Sequence, residues 1–100
     1  MKQYETMYII KSSLDDASRA ALIEEMHGII TNHGGTIDKV DEWGMRDFAY
    51  EIDGMTKGYY VVVNYTVDVE GLNEFVRLMR INGDVVRLLT ISEDEKKSGK

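Results

Sequence analysis

Apolar and polar positions divide the chain into six short segments with two different periods. Residues 4–10 are rich in β-branched and aromatic side chains and end at Lys11-Ser12-Ser13, so they predict a strand. Ser13, with an acid three residues on, marks a helix start. Leu22, Ile23, Met26, Ile29, Ile30 and His33 then recur at helical spacing. Gly34-Gly35 stops that helix, because glycine takes the left-handed cap conformation cheaply. Thr36 to Ile52 reads as a long strand, with Phe48, Tyr50 and Ile52 alternating against Asp47, Ala49 and Glu51. Gly44 interrupts it, which predicts a bulge or bend. Residues 53–58 carry two glycines and read as a loop.

Tyr59 to Val67 is the third strand. Val61, Val63, Tyr65 and Val67 are its more uniformly apolar set, so they are assigned to the core; Tyr60, Val62, Asn64 and Thr66 face away. Leu72, Phe75, Val76 and Met79 predict a second amphipathic helix, ended by Asn82-Gly83-Asp84. Val85 to Ile91 is the last strand. Residues 1–92 are taken as one domain, and residues 93–100 as a charged tail expected to be mobile.

The order strand, helix, strand, strand, helix, strand is that of the split βαβ, or ferredoxin-like, α+β fold. A four-stranded antiparallel sheet would carry both helices on one face and leave the other open. The first and fourth strands are apolar on both faces, so the open face should show Met7 or Ile9, Val62, and Leu89 or Ile91. An exposed apolar patch of this kind marks a partner site.

Composition narrows the function. At 100 residues the chain makes one domain, and 43% hydrophobic content is too high for a disordered one. With no Cys, disulfides, thiolate catalysis and Cys-ligated metals are excluded. The start, Met1-Lys2-Gln3-Tyr4-Glu5, shows no signal or transit peptide, and the longest apolar run falls far short of the roughly 20 residues of a membrane span. A cytoplasmic location is therefore expected. A net charge of −6 excludes a protein that coats nucleic acid by bulk charge. The excess is local: residues 1–42 hold four basic and eight acidic residues, whereas Arg46, Lys57, Arg77, Arg80 and Arg87 lie beyond residue 42. A few placed arginines can still contact phosphates or the shape of a folded RNA.

No catalytic constellation stands out. His27 and His33 are six apart on one helix, where a ligand pair needs three or four. His33, near the helix end, suits a capping or semi-buried role. There is no Gly-x-Ser-x-Gly elbow, and no phosphate-binding glycine loop leads into Lys and Ser or Thr. Lys57-Gly58-Tyr59 matches the opening of an RNA-recognition motif, but Tyr60 and Val61 break it and Tyr59 has core parity. No enzyme, cofactor or metal is expected. The alternative reading is a ferredoxin-like regulatory or small-ligand-binding module; an acyl-phosphate hydrolase shares only the strand order.

The segment Asp41-Glu42-Trp43-Gly44-Met45-Arg46-Asp47-Phe48-Ala49-Tyr50-Glu51-Ile52 resembles the signature of the bacterial small-subunit ribosomal protein S-six family. Tyr4-Glu5, Lys57-Gly58-Tyr59-Tyr60, Leu78-Met79-Arg80-Ile81-Asn82 and Asp84-Val85-Val86-Arg87 extend the resemblance over residues 2 to about 91. It implies a structural constituent of the small ribosomal subunit. Such a protein binds the central domain of small-subunit ribosomal RNA as a heterodimer with an S-eighteen-type small basic ribosomal protein. Acidic and basic partners would then complement each other. Two positions depart from the pattern: Met45-Arg46 replaces a basic pair, and Glu51 stands where the family often has Pro. The implied RNA- or partner-binding candidates are Lys2, Tyr4, Trp43, Arg46, Lys57, Tyr60, Arg80 and Arg87. Tyr50 shares parity with Phe48 and Ile52 and is expected in the core first, at a contact second.

Overall fold

The computed structural model describes residues 1–51, the backbone of residue 52, and residues 54–92. The elements are β1 (Lys2–Lys11), α1 (Asp16–Asn32), β2 (Thr36–Ile52), β3 (Met55–Val67), α2 (Val69–Ile81) and β4 (Val85–Ser92). The strands form one antiparallel sheet in the order β2-β3-β1-β4. This is the ferredoxin-like arrangement, with both helices on one face. The tail expected over 93–100 lies outside the described residues.

Alternation puts Tyr4, Tyr8 and Ile10 of β1 and Val61, Val63, Tyr65 and Val67 of β3 under the helices. Leu22, Met26 and Ile30 of α1 and Phe75 and Met79 of α2 meet them. Both central strands are thus sealed on this side, and the third-strand parity read from the sequence holds. Each large side chain fully buried there contributes roughly 1.5–3 kcal/mol. Thr6, a polar residue buried among them, is satisfied: its Oγ1 is hydrogen-bonded to the Tyr65 hydroxyl at 2.7 Å and to Thr90 Oγ1 at 3.0 Å.

The helix ends follow capping chemistry. Asp15, not Ser13, caps α1, its carboxylate accepting from the Ser18 N–H at 2.8 Å. The serine-then-acid pattern therefore marks the start two residues early: the cap is Asp15, and the acid three residues after Ser13, Asp16, is the first residue of the helix. Asp68 caps α2 in the same way, accepting from the Gly71 N–H at 2.7 Å. At the far end of α1, His33 is the cap residue and Gly34 follows at φ 81°.

Two further expectations are corrected. Residues 55–58 are strand, not loop: Met55 pairs with Ile52, Lys57 with Asp47 and Gly58 with Arg46. Gly58 serves close packing, since a Cβ there would stand 2.5 Å from Ile9 Cγ2 and 3.0 Å from Phe48 Cζ. Tyr50 is not in the core; it is 72% exposed. The pairing of β2 with β3 shifts between Asp47 and Ile52, so the alternation that predicted its burial does not carry through. The side chain of Ile52 lies outside the described residues.

One buried contact gives a pH signature. Tyr8, fully buried, is hydrogen-bonded to His27 Nε2 at 3.0 Å. Burial holds the His27 imidazole below its ordinary value, opposed in part by the carboxylate of Glu42. Above about pH 6.5 His27 is neutral both folded and unfolded, and its contribution is intact. As pH falls below that, the unfolded chain takes the proton first, and stability is lost down through the lower folded value. Urea midpoints at pH 7.5 and 5 should fall further for the wild type than for His27→Gln.

Candidate nucleic-acid and partner interface

The face away from the helices is set by strand register. Val62 lies between Met7 of β1 and Asp41 of β2, and Met7 lies opposite Leu89 of β4. Glu5, Met7, Trp43, Val62, Leu89 and Ile91 line a hollow of about 190 Å³ there. Leu89 is 57% exposed. This is the expected open face, except that Ile9 and Val62 on the same face are buried, at 2% and 8% exposed, because their strand neighbours crowd over them. Ile9 and Phe48 converge on the bare Cα of Gly58, which closes that end of the face.

The next row along the sheet carries the chemistry. Glu42 pairs with Val61 and Gly44 with Tyr60, so Trp43 is one extra residue in β2. Gly44 supports the bulge at φ 85°. The extra residue turns onto the open face, and its ring stacks on Tyr60 with centroids 6.0 Å apart and planes 5° from parallel. The indole Nε1 donates to Asp41 Oδ2 at 3.2 Å. Phe48 leans on the other side of Tyr60 at 6.2 Å. Arg46 lies 5.6 Å from the Trp43 ring and donates from Nε to the Trp43 carbonyl at 3.4 Å. Tyr60 pairs with Ile9, and Ile9 pairs with Arg87 across the sheet. Arg46, Trp43, Tyr60 and Arg87 therefore share one end of one face.

The other candidates fall elsewhere. Arg80, at the end of α2, shares a hollow of about 220 Å³ with Arg87 and Val86, so it adjoins the open face at the β4 edge. Lys57 is exposed on the β2–β3 hairpin, opposite Asp47. Lys2 is exposed opposite Val67, about nine residues along β3 from the level of Arg46, or roughly 30 Å at 3.3 Å per residue. Tyr4 is 7% exposed and tilts against Tyr65 at 5.9 Å, a core residue by parity.

The register also explains the missing cation. Met45 pairs with Tyr59 and has the helix-side parity, whereas Arg46 pairs with Gly58 and has the open-face parity. Met45 therefore removes no charge from the face that carries Arg46. The sequence reading did not single out Phe48 as part of this face, nor Arg19, whose guanidinium lies 4.1 Å from the Tyr59 ring behind it. No local signal marks either one, because both depend on long-range register.

Four of the hollows on the described surface hold about 180 to 220 Å³ each. Small-molecule sites usually occupy roughly 300–1,000 Å³. A ferredoxin-like domain with an apolar open face, an aromatic stack and flanking arginines belongs to the class of macromolecule-binding domains. The model of the family Ribosomal protein S6 matches residues 3–92. The small ribosomal subunit protein bS6 of Exiguobacterium sibiricum is 45% identical over 96 residues, covering 96% of this chain and 100% of that protein. The 30S ribosomal protein S6 of Thermotoga maritima superposes with a TM-score of 0.86 at 32% identity, covering 99% of this chain and 98% of the other. The chain belongs to the ribosomal protein S6 family: it is a ribosome-associated protein of the small subunit and not an enzyme.

Gly44 offers a test of the bulge. A Cβ there meets nothing within 4 Å, so only its positive φ opposes a side chain. Gly44→Ala should cost about 1–2 kcal/mol in urea unfolding, and Gly44→Asn less.

Proposed function

We propose that this chain binds the central domain of small-subunit ribosomal RNA as a heterodimer with an S-eighteen-type small basic ribosomal protein. One observation carries the reading: an apolar hollow on an otherwise uncovered sheet face, bordered on one side by the Trp43–Tyr60 stack with Arg46 and on another by Leu89 and Arg87.

The division of labour follows from charge. A chain of net charge −6 gains little from a polyanion by itself. A basic partner seated on the apolar hollow gains from the same acidity. Burial of Met7, Leu89 and Ile91 supplies affinity for that partner. Arg46, Arg87 and Arg80 then place a few contacts to phosphates of the folded RNA, with Trp43 and Tyr60 offering flat surfaces beside them. Lys2, at the far end of the sheet, would touch a separate part of the RNA. In this reading the unit that binds is residues 1–92, acting in the cytoplasm on the ribosome.

Filter binding of a central-domain RNA fragment should show weak retention by the chain alone and strong retention with the partner. Equal retention in both would overturn the cooperative account. Arg46→Ala should weaken the partnered complex and lower the slope of log affinity against log salt by about 1. Its thermal melt should stay close to wild type, because Arg46 is exposed; a large fall in the melt would make it a structural residue.

A further inference from the structure

Directly behind the aromatic stack lies a second set of contacts on the helix side of the same two strands. Glu42 precedes Trp43 and Tyr59 precedes Tyr60, so strand alternation sends each pair of neighbours to opposite faces. On the open face Trp43 and Tyr60 stack. On the helix face the Tyr59 hydroxyl donates to Glu42 Oε1 at 2.6 Å, closing the same step between β2 and β3. Arg19 of α1 lies over the Tyr59 ring at 4.1 Å, and its guanidinium donates to Asp16 Oδ1 at 2.5 Å. These groups line one cleft of about 210 Å³ between the start of α1 and the strands.

We propose that Arg19, Tyr59 and Glu42 are positioning residues that brace the Trp43 bulge and hold the Trp43–Tyr60 stack in the orientation in which it meets RNA. This rests on the reading of the open face as the binding surface. The physical need is specific to this place. The bulge at Trp43–Gly44 breaks the ladder between β2 and β3, so backbone pairing fixes the strand less firmly there. Trp43 is 44% exposed, and packing alone does not hold its ring. The Glu42–Tyr59 hydrogen bond ties the two strands across that break. It is a bond to a carboxylate, stronger than a neutral one. Arg19 fixes the Tyr59 ring, and because it sits in the first turn of α1 the brace is anchored to the helical layer. Its side chain is largely buried in doing so.

The chain has a single tryptophan, so intrinsic fluorescence reports on Trp43 alone. Tyr59→Phe keeps the ring under Arg19 and removes the hydroxyl. Glu42→Ala removes the acceptor, and Glu42→Gln restores one. Tyr59→Phe and Glu42→Ala should shift Trp43 emission to longer wavelength and raise its quenching by acrylamide, well below the melting temperature. Both should weaken the partnered complex with the central-domain RNA fragment by about two- to tenfold, the range of one hydrogen bond. Glu42→Gln should recover most of both signals. Unchanged emission in both variants would overturn the brace, even if the melt falls, since a structural contact alone would give that result. Shifted emission with unchanged affinity would overturn it equally. If the wild-type complex has no affinity for the RNA, the reading of the open face fails, and Trp43 emission still decides whether the brace exists.

Discussion

Two helices can cover one face of a four-stranded sheet and no more, and the rest of this molecule follows from that limit. β1 and β3 lie in the middle of the sheet and are hydrophobic on both sides. Their helix-facing side chains, among them Tyr8, Val61, Val63 and Tyr65, are fully buried against α1 and α2. Their other side chains have no layer of the chain to meet. Met7, Leu89 and Ile91, with the buried Val62 between them, therefore form a ready hydrophobic hollow, and Ile9 is closed over with Phe48 and Tyr60 beside it. An apolar face that the fold leaves uncovered is a demand for a second macromolecule.

How that face recognises anything depends on one irregularity. In an unbroken ladder between β2 and β3, Trp43 would already stand opposite Tyr60, but Arg46 would fall on the helix side. The extra residue in β2, permitted by the positive φ of Gly44, shifts the parity beyond it and brings Arg46 and Phe48 onto the face of Trp43 and Tyr60. Arg87 reaches the same level from β4 through Ile9 and Tyr60. The cations are few, and the acidic excess of the chain lies mostly in its first 42 residues. The protein thus presents a small, oriented set of charges instead of a positive field, and this suits it to work with a basic companion.

Much of the fold was legible because period and parity are local properties. The uniformly apolar set Val61, Val63, Tyr65 and Val67 marked the covered face, and Gly44 inside a strand pattern marked the bulge. What depended on register was not legible. The shift beyond Asp47 exposes Tyr50, and Gly58 is bare because Ile9 and Phe48 need its space, although it reads as a loop glycine. The convergence of Arg46, Trp43, Tyr60 and Arg87, and the separation of Lys2 from them, are consequences of pairing between distant segments. Tyr4 was a candidate through resemblance alone, and its alternation with Thr6 and Tyr8 places it in the core. The proposed partner was never within reach of periodicity; the family resemblance alone implies it.

The central claim is that the uncovered sheet face is the working surface. Hydroxyl-radical footprinting tests it most directly, comparing the free chain with the chain in assembled small subunits. Met7, Trp43 and Tyr60 report from the open face, and Leu78, Val69 and Ile81 report from α2. The account predicts loss of reactivity at the first three on assembly and little change at the second three. Protection confined to α2, with Met7, Trp43 and Tyr60 as reactive as in the free chain, would contradict it.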